Sequence, residues 1–265
     1  LLKITGTEEL FAENNGEASE QAITNFLLME QANAGSLLSS LSFARENART
    51  SRDILPREAW EVVNEIYLLA KNQKSKILSR SERYHLLTCI VHGAERLEGI
   101  LSGGLSRNQT HIFLNLGKFL ERADTTTRII DAGALLLSES SHKKMRNLDG
   151  VVWMNLLKTL NAYQMYRQAV KRHIIGTEVI RFLLKDEEFP RSVTFCVNAA
   201  STLASRLKDS KIVLSKAEIL KEKLSSFSPD ESSEEDIHRF MDEIQLAVYD
   251  IDDAVSETWF NAGLR

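Results

Sequence analysis

Between Ile112 and Ile130, the apolar side chains Ile112, Phe113, Leu116, Phe119, Leu120, Ala123 and Ile130, with Thr127 among them, recur at steps of three and four residues. That period places them on one face of a helix, and so long a face needs other elements to cover it. Beside it, at the same spacing, run Gly117, Glu121, Asp124 and Arg128, a flat spot followed by charges that border the stripe instead of opposing it. Burying the stripe partly desolvates them. Leu114 to Asp131 therefore reads as a central helix around which the chain packs.

The rest of the chain offers strands little support. It has three prolines and twelve glycines in 265 residues and no sustained period-two alternation, which predicts an all-α helical bundle. Helices are expected over Glu17 to Glu30, from a Ser36 cap through Leu37, Leu41, Ala44 and Ala48, and from Pro56 through Trp60, Val63, Ile66 and Leu69. Another spans Ser81 to Leu101 and stops at Gly103-Gly104. After the central helix, a polar break from Ser138 to Asn147 precedes helices over Val151 to Arg172, Thr177 to Leu184 and Ser192 to Leu207. Ser225 to Glu234, around Pro229, reads as an exposed linker before a last amphipathic helix from Glu235 to Phe260.

One pattern returns. Phe26-Leu-Leu-Met-Glu followed by Ser36 matches Phe182-Leu-Leu-Lys-Asp followed by Ser192 at the same spacing. Leu37, Leu41, Ala44 and Ala48 then correspond to Val193, Val197, Ala200 and Ala204. The expectation is two degenerate helical repeats, 1–105 and 106–265, packed as one unit. The central helix precedes the second copy, so its counterpart for the first copy is expected upstream of Leu1.

Charge and cysteine usage narrow the setting. A formal net charge of -4 gives no basic excess for nucleic acid, and the cluster His142, Lys143, Lys144, Arg146 reads as a solvated loop. Cys89 and Cys196 show no disulfide spacing, which fits a reducing cytoplasm. No apolar run approaches the about 20 residues a membrane span needs.

Ser42-Phe-Ala-Arg-Glu-Asn-Ala-Arg-Thr-Ser-Arg, with Trp60 and Asn64 downstream, and then Leu116-Gly-Lys-Phe-Leu-Glu-Arg-Ala-Asp-Thr-Thr-Thr-Arg together resemble the bacterial alpha-E family. That family is helical and named for a recurrent Glu-Arg motif. The resemblance spans most of the chain but lacks the usual opening Glu-Arg helix. It implies an accessory interaction module of a peptide-ligation or peptide-modification system, partnered by ATP-grasp ligase-like and transglutaminase-like proteins.

The residues themselves suggest an alternative, an enzyme or ligand-binding protein with a pocket for a phosphate- or carboxylate-bearing substrate. Arg45, Arg49 and Arg52 form a guanidinium ladder along one edge of their helix. With Glu121, Arg122, Asp124 and Arg128 they make either a network of structural ion pairs or an anion site. The matching positions of the second copy hold Ser201, Ser205 and Lys208, so packing of that helix does not by itself require arginines. Glu82, His85, Cys89 and His92 align as possible metal ligands, but opposite the apolar face of Leu86, Leu87, Ile90, Ala94 and Leu97. Glu82/His85 and Glu235/His238 fit the short pattern of ferritin-like sites, yet both sit in first helical turns where acids cap. No resident metal or cofactor is expected, and no nucleophile elbow or phosphate-cradling loop is present.

Overall fold

Serine caps and apolar ridges set the architecture. The structure, a computed structural model, describes residues 1–15, 17–73, 76–138, 149–171 and 173–260. Among these the chain is all helical, with no strand. It divides into two compact units, Leu1–Thr110 and His111–Arg265.

The first unit contains α1 (Leu2–Thr5), α2 (Glu8–Asn15), α3 (Glu20–Leu28), α4 (Leu37–Thr50), α5 (Arg57–Asn72) and α6 (Arg80–Gly104). Ser36 starts α4 by accepting a hydrogen bond from the Ser39 amide at 3.2 Å. This satisfies one of the amides that a helix start leaves unpaired. Pro56 occupies the cap position of α5, with φ fixed at -55°. Met29, Leu38, Leu41, Ile66, Ala70, Ile77, Leu86 and Ile90 form its core. The helices α5 and α6 touch at Gly93, where an added Cβ would lie 2.3 Å from Ile66 Cγ2, so glycine permits the close approach.

Two details of the expected faces differ. Ala44 is exposed on α4, where the buried ridge instead takes Leu38, Leu41 and Ala48. On α6 the ridge is Leu86, Ile90 and Gly93, leaving Leu87 and Ala94 outside. Both shifts follow from burial of a narrow ridge rather than a broad face, because α4 and α6 each meet α5 along one line.

The second unit contains α7 (Gln109–Ser138, its body from His111 onward), α8 (Asp149–Thr159), α9 (Tyr163–Val170), α10 (Gly176–Lys185), α11 (Val193–Ala204), α12 (Lys211–Ser226) and α13 (Glu234–Trp259). In α7 the expected stripe is buried at Ile112, Leu116, Leu120, Ala123, Thr127 and Ile130. Phe113 and Phe119 flank it half-buried, making edge contacts with Trp259 at 5.7 Å and Phe195 at 6.0 Å between ring centres. The helix runs antiparallel to α13, since Phe113 meets Trp259 at one end while Asp131 meets His238 at the other.

The second unit departs from the expected helices in three places. The helix foreseen over Val151 to Arg172 is broken at Asn161, whose φ is 52°. Its amide donates to the Lys158 carbonyl and that of Ala162 to the Leu157 carbonyl, the pair of bonds that closes a helix around a left-handed residue. Ser225 to Glu234 is exposed at most positions, as expected, but it closes as a packed turn rather than a free linker. Pro229 is buried, Phe227 stacks on Phe240 at 3.8 Å, and Ser233 with Asp236 forms a capping box. Thirdly, α12 was not foreseen, although Val213, Ala217, Leu220 and Leu224 trace a helical ridge buried in it. The residues 139–148, with the basic cluster His142, Lys143, Lys144 and Arg146, lie outside those described.

Candidate functional site

The seam between α7 and α13 opens into a groove of about 580 Å³ within the second unit. Its α7 wall presents Gly117, Glu121, Asp124 and Arg128, the charged border expected from the spacing, with Leu120 as floor. Asp242, Gln245, Val248 and Asp252 come from α13, and Leu246 and Tyr249 stand on the rim, each 67% exposed. A Cβ added to Gly117 meets nothing within 4 Å, so glycine here leaves helix backbone open to the groove.

Charge is unevenly shared along this seam. Arg128 Nε donates to Asp124 Oδ2 at 2.6 Å, a four-residue helical pair with both side chains part-buried. That leaves Glu121, Asp242 and Asp252 as a surplus of negative charge among the lining residues.

Beyond the groove, Asp131 Oδ1 accepts a hydrogen bond from His238 Nδ1 at 2.6 Å, while His238 Nε2 lies 3.8 Å from Asp242 Oδ2. Burial raises the Asp131 carboxyl above the usual range and the Asp242 charge adds to this, while the contact with His238 opposes both. These three residues bring one ligand atom each within 4.8 Å of one another. An imidazole with two carboxylates is a donor set that suits a first-row divalent cation. Sequence reading missed the trio because Asp131 and His238 are far apart in the chain. Glu82, His85, Cys89 and His92 form no such group among the described residues. His85 and Cys89 approach only to 3.7 Å on the solvent side of α6.

The other candidate residues fall into separate places. Arg45, Arg49 and Arg52 belong to the first unit, where α4 and the following turn set two of them against α5. Arg45 Nε donates to Asn64 Oδ1 at 2.7 Å, with its guanidinium 5.5 Å from the Trp60 ring centre and 5.1 Å from that of Tyr67. Arg52 sits over Trp60 at 3.8 Å. Arg49 instead pairs with Glu46 on the exposed side at 2.5 Å, and the resulting hydrogen bond holds the Glu46 carboxyl below its usual range.

Arg122, one step of about 100° around α7 from Glu121, turns away from the groove. It acts electrostatically on Cys196 of α11, as do Arg191 and Lys118. Burial nevertheless pushes that thiol up to about 12, so Cys196 is an inert packing residue.

The Alpha-E model, a predicted alpha-helical domain with a conserved ER motif, matches residues 1–260. This chain belongs to the Alpha-E family. No curated protein and no solved structure matches it. In this Alpha-E chain the pair Glu121-Arg122 therefore splits its roles, with the glutamate lining an open groove and the arginine facing α11. No helix among the described residues is long and apolar enough to cross a membrane.

Proposed function

We propose that this Alpha-E chain is an accessory interaction module of a bacterial peptide-ligation or peptide-modification system, built from two degenerate copies of one helical repeat and working in the cytoplasm. Its partners are an ATP-grasp ligase-like protein and a transglutaminase-like protein. The observation that carries this reading is the α7–α13 groove. It is open along its length, floored by Leu120 and Val248, and edged by the exposed Leu246 and Tyr249. Apolar anchors beside polar walls suit a segment of polypeptide.

A photo-crosslinking residue in place of Leu246 tests it in cells, with Ile212 of α12, itself 61% exposed, as the control position. Crosslinks to a ligase-like or transglutaminase-like protein from position 246 alone are expected. Equal yields from both positions would refute the groove as the docking site.

A second reading keeps the arginine ladder as an anion site, and Arg52 is what favours it. Its ring stacking on Trp60 orients the guanidinium but uses none of its N–H donors, and no acceptor engages them among the described residues. Titration with inorganic phosphate checks this. Heat of binding that vanishes in Arg52→Ala at unchanged melting temperature supports it, and no heat in the wild type removes it.

A further inference from the structure

We infer that the α7–α13 groove takes a peptide segment bearing lysine or arginine side chains, an inference that rests on the docking reading above and adds the chemistry of what docks. Charge complementarity carries it. Both walls contribute carboxylates, Glu121 from α7 and Asp242 and Asp252 from α13, while the sole guanidinium that lines the groove among the described residues, Arg128, is already committed to Asp124. An acidic segment would meet like charge along its whole length, and a neutral one would desolvate carboxylates without compensating them.

The spacing fits an extended chain. Asp242 and Asp252 are ten positions apart on one helix, which at 1.5 Å per residue separates them by about 15 Å. An extended peptide covers that distance in roughly four to five residues. Cationic side chains four positions apart therefore reach both carboxylates at once. Between these ends lie Leu246 and Tyr249, where the aliphatic stems of lysine or arginine pack while their charged heads stay in solvent beside the acids. A ring face at Tyr249 offers a cation a further favourable surface.

Three fluorescein-labelled decapeptides of one sequence, with lysine, glutamine or glutamate at two positions four apart, test the inference by anisotropy on the whole chain. The lysine peptide is expected to bind about tenfold tighter than the glutamine peptide, and the glutamate peptide to show no binding. That preference should shrink in Asp242→Asn/Asp252→Asn and as salt rises from 50 to 500 mM, where screening shortens the reach of exposed charges. Gly117→Trp, which fills the groove from an exposed helix position, should abolish binding of every peptide, with circular dichroism checking that the helices persist. Equal affinity of the lysine and glutamine peptides overturns the basic-segment inference and leaves the docking reading intact. Binding that survives Gly117→Trp, or no binding by any peptide, overturns both.

Discussion

α3–α4 in the first unit and α10–α11 in the second start from the same local instructions and end in different surroundings. Ser36 and Ser192 cap their helices with nearly identical backbone angles, φ -64° and ψ 152° against φ -68° and ψ 150°, and both are fully buried. Phe26 and Phe182 are both buried before these caps. Past the first turn the two helices diverge. α11 buries Val193, Cys196, Val197, Ala200, Ser201 and Ala204, a face that runs its whole length, whereas α4 buries Leu38, Ser39 and Leu41 near its start, then only Ala48, and leaves Ala44 outside. The edge left open on α4 carries arginines, and Ser201, at the position matching Arg45, turns inward to donate to the Val197 carbonyl at 2.8 Å. A shared cap and stripe thus fix where a helix starts, while the neighbours available fix how much of it is covered.

The largest effects should be alike in the two regions. Phe26→Ala and Phe182→Ala should each cost about 3–5 kcal/mol in urea unfolding, the usual loss for a buried ring. A large loss at one site only would break the equivalence. Next come the paired alanines, where the regions should part. Ala200→Leu overpacks a buried face and should cost about 1–3 kcal/mol, while Ala44→Leu should stay within about 0.5 kcal/mol. Equal costs would mean that the two helices are covered to the same extent.

Smaller still, Ser36→Ala and Ser192→Ala should each remove about 1 kcal/mol of capping. The two losses should be alike, because each hydroxyl also donates, that of Ser36 to Ser39 Oγ and that of Ser192 to the Asp186 carbonyl. Arg45→Ala should cost about 0.5–1 kcal/mol through its aromatic contacts, and Arg49→Ala, whose pair with Glu46 is exposed, should leave the melting temperature unchanged.

The smallest effect is one of pH. Arg49 holds the Glu46 carboxyl below 4.5, so its ionised form favours the folded chain. That contribution is complete above 4.5 and is lost as pH falls through the lowered folded value. Glu46→Gln should flatten the stability profile in this acid window. The matching position of α11 is Thr202, which does not titrate there, so Thr202→Val should leave the slope as it was.

Much of the helical order was legible because helix signals are local. The caps at Ser36 and Ser192, the stop after Gly104 and the long stripe of α7 each follow from a few neighbouring residues. The break at Asn161 was hidden because asparagine neither forbids a helix nor requires a left-handed turn, and burial of Leu160 and Ala162 tips the choice. The turn around Pro229 looked like a free linker because serine and acid dominate it, yet Phe227 and Phe240 pin it down.

The sequence by itself determined that this protein is helical, that it belongs with chains bearing a Glu-Arg motif, and that Gly117, Glu121, Asp124 and Arg128 border one face of its central helix. Periodicity needs only the backbone's own geometry to be read. Tertiary structure alone decided that Asp242, Leu246, Tyr249 and Asp252 complete a groove with that border, and that Asp131 meets His238. It also decided that the guanidinium of Arg45 lies against Trp60 and Tyr67. Those pairings join residues distant in sequence, and their energies depend on which helices come together, which no local pattern encodes.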